Sequence, residues 1–123
     1  VVDDEPSVRD IVRLVLERIG LDVTLAPDGA KAVAAVRDAG DRPFDLVLLD
    51  LTMPQMGGEA ALLRIRELQP DLPVVMMSGY TGEDVAQRFV DCPPTGFLHK
   101  PFRPETLVAA VRAALARRRS ETP

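Results

Sequence analysis

Apolar residues at Val8, Ile11, Val12, Val15 and Ile19 recur at helical spacing, with Arg9, Asp10, Arg13, Glu17 and Arg18 between them. Pro6 stands where a first-turn proline is tolerated and Gly20 where a helix commonly stops, so the pattern predicts a helix between them. Polar and apolar residues then alternate from Asp22 to Ala26, as in a strand near one edge of a sheet. A second helix is expected from about Gly29 to Ala39, ending at Gly40. Phe44 to Leu49 is a nearly continuous apolar run, which a central parallel strand buried on both faces requires. Gly57-Gly58 opens a third helix through Leu68, closed by Pro70, and Val74 to Met77 reads as another short buried strand. A weaker helical stretch from Gly82 to Val90, a last strand from Gly96 to His99, and a helix starting at Pro104 complete the chain.

Counting Val1-Val2 as the end of a first strand, five strands alternate with five helices, and no repeat-length period is present. That order predicts an α/β fold, a doubly wound five-stranded parallel sheet of (βα)5 type with helices on both faces. Right-handed crossovers put every strand-to-helix loop at one edge, the carboxyl end of the sheet, where ligands of open α/β sheets bind. Length agrees: 123 residues with 46% hydrophobic content suit one domain. The expected boundaries are a domain over residues 1–119 and a polar tail over 120–123, with Arg117 to Arg119 complementing the last helical turn or simply solvated. The chain opens on Val1-Val2 without an initiator Met, which reads as a segment of a longer polypeptide.

Composition narrows the function classes. A net charge of −4 argues against direct nucleic-acid binding, and 4% aromatics without Trp argues against base-stacking platforms. Cys92, the single cysteine, can form neither an internal disulfide nor a thiolate metal site, which favours a reducing compartment. No apolar run approaches a membrane span and no signal-peptide pattern opens the chain, so a cytoplasmic domain without direct membrane contact is expected, even where its parent is membrane-anchored.

The polar residues at the predicted strand ends carry the chemistry. Asp3 and Asp4 follow strand one, Asp50 strand three, Ser78 strand four and Lys100 strand five. Three converging carboxylates repel unless neutralised, and with no His or Cys among them a hard cation such as Mg²⁺ fits better than zinc. A metal beside a carboxylate and a lysine is also what phosphoryl transfer needs. Asp50, on the most buried strand, is the candidate nucleophile, with Asp3 and Asp4 on the metal. Lys100 is expected to pair with Asp50 before transfer and with a phosphoryl oxygen after it, and Ser78 to offer its hydroxyl to a second oxygen. Singly, each residue has a plainer role: Asp4 a helix cap, Ser78 a turn residue, Lys100 a solvated charge. Their joint placement at successive strand ends favours the functional role.

Val1-Val2-Asp3-Asp4-Glu5, Asp45 to Pro54 and Lys100-Pro101-Phe102 resemble the three signatures of response regulator receiver domains, the phosphoaccepting modules of two-component signalling. The resemblance covers nearly the whole chain. It implies a flavodoxin-like strand order 2-1-3-4-5 and phosphorylation of Asp50 by a phosphohistidine on a histidine kinase or histidine phosphotransfer domain. It further implies Mg²⁺ held by Asp4, Asp50 and the backbone carbonyl of Thr52, with Asp3 acting largely through metal-bound water. Ser78 becomes the switch hydroxyl, Phe97 the switch aromatic, Thr52 and Tyr80 the residues flanking phosphate access, and the bond to Pro101 cis. Phosphorylation is then a population shift in which Ser78 and Lys100 move inward and Phe97 turns into the vacated space, changing the surface of helix four, strand five and helix five.

Two departures stand out. Asp91 to Gly96 replaces a more usual Gly-Ala-rich approach to the fifth strand, and Phe97 stands where many members carry tyrosine. Ser78 to Glu83 and Gly96 to Lys100 look most like receivers attached to hybrid sensor histidine kinases, which would put a kinase or output domain in the parent chain. The domain itself is expected to assist its own phosphorylation and dephosphorylation rather than act as a free-standing enzyme. The alternatives are a metal-dependent phosphohydrolase and a degenerate, non-phosphorylated interaction module. Haloacid-dehalogenase-type phosphatases place their nucleophile after the first strand with a second Asp two residues on, whereas Thr52 follows Asp50 at that distance. His99 is expected to point away from the acids, and Met53, Met56, Met76 and Met77 to serve packing.

Overall fold

The computed structural model describes residues 1–40, 43–51, 58–79 and 94–121. Thr52, Tyr80, Met53, Met56, Cys92 and the helix expected over 82–90 lie outside the described residues.

Helix α1 spans Pro6–Arg18 with Pro6 at its start. It ends where the sequence places a glycine: Gly20 adopts φ 89°, Gly20 N–H donates to Glu17 O (3.0 Å) and Leu21 N–H to Leu16 O (3.2 Å). That pair of bonds is a Schellman stop, which only a residue tolerant of positive φ closes without strain. Helix α2, Gly29–Ala39, starts from an Asp28 cap whose Oδ1 accepts the Lys31 N–H at 2.8 Å, a bond that stabilises a helix by about 1 kcal/mol. Strand β1 is Val47–Asp50, helix α3 Gly58–Leu68, strand β2 Val74–Ser78, strand β3 Gly96–His99 and helix α4 Pro104–Glu121. Helix α4 thus carries the chain through Ser120 and Glu121, the first residues of the expected polar tail.

The three strands are parallel in the order β1-β2-β3, with Leu49 level with Met76 and Met76 level with Phe97. Val2 bridges in parallel to Leu49 on one side and Ala26 on the other, which extends the order outward from β1. An α/β architecture with a parallel sheet is therefore present, and these single bridges agree with the expected order 2-1-3-4-5. The strand expected over Asp22 to Ala26 is reduced to the bridge at Ala26. A strand exists only against a partner, and the backbone bonds here are Ala26 N–H to Val1 O at 2.9 Å and Asp3 N–H to Ala26 O at 3.2 Å, both centred on Ala26.

Side chains alternate across the sheet, and the core divides accordingly. Val2, Ala26, Leu49, Met76 and the partly buried Phe97 pack on the side of α2 and α3, with Val33, Val36, Leu62 and Ile65. Leu48, Val75, Met77 and Leu98 pack on the other side with Val12 and Leu16 of α1 and Leu107 and Val111 of α4. Met76 and Met77 are both fully buried packing residues, one on each face. Among the described residues no helix is long and apolar enough to cross a membrane.

Candidate metal and phosphoacceptor site

Asp50 is the last residue of β1 and Ser78 the last of β2, so both stand at the carboxyl edge. Asp3 reaches the same edge because Val2 is locked beside β1: Val2 N–H donates to Leu48 O at 2.8 Å and Asp50 N–H to Val2 O at 2.9 Å. Lys100 arrives from β3, its own N–H bonded to Ser78 O at 2.7 Å, and the Lys100-Pro101 peptide is cis. Asp3, Asp50 and Ser78 are 0%, 4% and 1% exposed, whereas Asp4 is exposed. Three polar residues this deep at one edge need partners or a ligand.

One carboxylate oxygen from each of Asp3, Asp4 and Asp50 lies within 4.8 Å of the other two. That spacing allows one small cation to touch all three, and an all-carboxylate donor set suits a hard ion such as Mg²⁺. The helix-cap role for Asp4 is not realised, because the N-cap of α1 is Glu5 and it makes no side-chain cap bond.

Lys100 pairs with Asp50 and, more closely, with Asp3. Its Nζ lies 2.6 Å from Asp3 Oδ2 and 3.5 Å from Asp50 Oδ2, so the ammonium is shared and leans towards Asp3. The reason is reach: Asp3 presents a buried carboxylate whose Oδ1 already accepts the Glu5 N–H (3.0 Å), leaving Oδ2 turned to the lysine. Burial alone pushes the Lys100 ammonium down; the Asp3 hydrogen bond and the charges of Asp50 and Asp3 outweigh it and hold its pKa above the ordinary lysine value.

Phe97 is partly buried beside the α2–α3 core, and His99 is exposed. Two residues that pattern reading passed over also shape the site. Arg9, which periodicity places simply on the polar face of α1, donates from Nη1 to the Asp3 main-chain oxygen at 2.7 Å. Gly58, which pattern marks simply as a helix opener, lies so close to the end of β1 that a Cβ there would sit 2.5 Å from Asp50 O and 2.7 Å from Leu51 Cα. A glycine at a helix start seven residues past Leu51 is the sole sequence signal for that approach, and no such signal marks Arg9.

A cavity of about 460 Å³ lies elsewhere, at the amino end of the sheet, lined by Val1, Leu16, Val36, Phe44 and Leu46 among others. None of the carboxylates, Ser78 or Lys100 borders it, so it is separate from this chemistry.

Comparison with known proteins agrees with this geometry. The family model for the response regulator receiver domain matches residues 1–112. The DNA-binding response regulator MtrA of Mycolicibacterium smegmatis is 38% identical over 121 residues, covering 98% of this chain and 51% of MtrA. The transcriptional regulatory protein ZraR of Escherichia coli K12 is 36% identical over 126 residues, covering 100% of this chain and 28% of ZraR. The chain thus spans about half the length of MtrA and less of ZraR. Among solved structures, the chemotaxis protein CheY4 of Vibrio cholerae superposes with a TM-score of 0.84 at 32% identity, covering 92% of this chain and 93% of CheY4. The receiver domain of NtrX from Brucella abortus gives 0.82 at 34% identity, covering 94% and 95%. With its parallel sheet, its acid cluster and a family match over nearly its whole length, this chain belongs to the response regulator receiver domains of two-component systems.

Proposed function

We propose that Asp50 is the phosphoacceptor and that Asp3, Asp4 and Asp50, with the main-chain carbonyl of Thr52, hold Mg²⁺. The observation that carries this reading is the mutual approach of the three carboxylates within 4.8 Å, with the Lys100 ammonium at 2.6 and 3.5 Å from two of them. Bound there, the cation would neutralise the carboxylates and the incoming phosphoryl oxygens. An Asp50 carboxylate oxygen attacks phosphorus in line as the P–N bond of a phosphohistidine breaks. The bonding pair returns to the imidazole nitrogen, leaving the donor histidine free and Asp50 an acyl phosphate. Lys100 then exchanges a carboxylate oxygen for a phosphoryl oxygen, and Ser78, 1% exposed at the end of β2, turns its hydroxyl to another. Thr52 and Tyr80 flank water access, and Phe97 follows Ser78 to alter the surface made by the segment 82–90, strand β3 and helix α4.

The donor in this reading is a histidine kinase or histidine phosphotransfer domain, and the domain assists its own phosphorylation without being a free-standing enzyme. We place its work in the cytoplasm, with no direct contact to membrane or nucleic acid by these residues. Since MtrA is a DNA-binding response regulator, a transcriptional output in a longer parent is the reading its relatives favour. The kinship to hybrid kinases read from Ser78 to Glu83 and Gly96 to Lys100 gains no support from MtrA or ZraR.

Incubation with a small-molecule phosphodonor, read by intact mass, tests the assignment. The native chain should gain one phosphoryl group only when Mg²⁺ is present, and Asp50→Asn should gain none. A gain by Asp50→Asn would move the acceptor elsewhere. No gain by the native chain with Mg²⁺ bound would favour a degenerate interaction module.

A further inference from the structure

Asp3 is held from four directions. Its N–H donates to Ala26 O at 3.2 Å, its Oδ1 accepts from Glu5 N–H at 3.0 Å, its Oδ2 from Lys100 Nζ at 2.6 Å, and its main-chain oxygen from Arg9 Nη1 at 2.7 Å. The first three belong to the sheet, the turn and the ion pair. The fourth belongs to none of these. The Asp3 carbonyl lies past the last bridge of its strand and before α1 begins, where neither ladder nor helix supplies a donor.

Arg9 is also oddly placed for a structural arginine. It stands in the opening turns of α1, where the helix dipole disfavours a cation, and that first turn carries no acidic residue. Among the described residues its guanidinium pairs with no carboxylate, although it touches the backbone of the residue that begins the acid cluster. A charge-assisted bond of 2.7 Å to a buried carbonyl is among the stronger single tethers a side chain offers.

We infer that Arg9 is a positioning residue for the cation site: by donating to the Asp3 carbonyl it locks the Asp3-Asp4-Glu5 turn, and with it the spacing of the Asp3 and Asp4 carboxylates from Asp50. The bonded oxygen belongs to the Asp3–Asp4 peptide plane, so rotation of that plane swings Asp4, the one exposed acid of the three. Mg²⁺ demands near-octahedral geometry, and a turn free to rotate meets that demand less often. The inference rests on the metal-binding reading above.

Charge and position predict opposite signs. Through space alone, removing a cation beside three carboxylates tightens Mg²⁺ binding; loss of the tether weakens it. Arg9→Met, which keeps the aliphatic stem, should raise the Mg²⁺ dissociation constant about five- to tenfold by calorimetry, and Arg9→Lys about two- to threefold. In the metal-free chain the Glu5 amide, which is bonded to Asp3 Oδ1, should exchange its hydrogen faster in both variants. With saturating Mg²⁺, phosphorylation should return to within about twofold of the native rate, because a positioning residue acts through affinity.

Unchanged or tighter Mg²⁺ binding in Arg9→Met, with native Glu5 exchange, overturns the inference. So does a rate that stays low at saturating Mg²⁺, which would put Arg9 in the transfer step itself. Should Arg9→Met fail to fold, the charge-preserving Arg9→Lys decides, and native values there overturn it. If the native chain binds no Mg²⁺, the metal reading falls, and Glu5 exchange alone decides whether Arg9 clamps the turn.

Discussion

At Lys100 one ammonium serves two carboxylates, at 2.6 Å to Asp3 and 3.5 Å to Asp50, with a side chain 22% exposed. Asp3 is fully buried, so Lys100→Met would leave its charge without a counter-ion. Breaking a buried pair from one side costs about 3–5 kcal/mol, and partial exposure of the lysine reduces that to about 2–3 kcal/mol here. Lys100→Met also removes a cation that competes for Asp3 Oδ2. Millimolar Mg²⁺ should therefore bind the variant more tightly than the native chain and recover part of the lost stability. Urea unfolding of both proteins with and without Mg²⁺ checks this; a stability gap that Mg²⁺ leaves unchanged would mean that Lys100 does not occupy the cation's place. At this scale the sequence revealed which side chains gather, because strand ends in a parallel sheet fall at one edge. It did not reveal that Lys100 leans to Asp3, or that Arg9 turns back to a main-chain oxygen. Both depend on side-chain reach across residues 97 and 6 positions apart, which no periodicity encodes.

Among the elements, helices were easier to read than strands because their ends carry local chemistry. Gly20 closes α1, Gly40 follows the last residue of α2, and Pro104 opens α4. A strand has no such mark, and the alternation over Asp22 to Ala26 yields a bridge only where Val2 can meet it. The start of α3 shows a third situation, in which an element is placed by contact with the site. Gly58 N–H donates to Leu51 O at 3.0 Å, and its α-carbon presses against the backbone that carries Asp50. The atoms a Cβ would strike, 2.5 and 2.7 Å away, are backbone atoms that cannot rotate aside. Gly58→Ala should therefore cost about 2–3 kcal/mol in urea unfolding, the range of overpacked cores. It should also slow phosphorylation, because relief of the clash moves the Asp50 carbonyl. An alanine variant as stable and as fast as the native chain would show that α3 can slide away from β1 without disturbing the acceptor.

At the scale of the whole 123-residue chain, taken by itself with its amino group at Val1, the two ends of the sheet do different electrostatic work. At the carboxyl end, charge is concentrated and paired, and an ammonium is held above its ordinary pKa by the acids around it. At the amino end, Val1 lines the cavity with Phe44 and Leu46, and its ammonium donates to Thr24 O at 2.9 Å. Burial there lowers its pKa from 8.0 to about 6. The sign for folding follows from proton counting. Between about pH 6 and 8 the unfolded chain holds this proton more tightly than the folded one, so stability falls as pH drops from 8 to 6. A full shift of this size corresponds to about 2–3 kcal/mol, and because Val1 is only half-buried, about 1 kcal/mol is expected. For the 123-residue chain the urea midpoint should therefore rise by roughly 0.5 M between pH 6 and pH 8. Acetylating the terminus keeps one N–H for Thr24 O but removes the titrating charge, so comparison with the acetylated chain isolates this group. The difference between the two proteins should shrink as pH rises from 6 to 8, with the acetylated chain ahead at pH 6. Parallel pH dependences would show that water reaches the Val1 ammonium through the cavity and that the amino end of the sheet contributes nothing to the pH response.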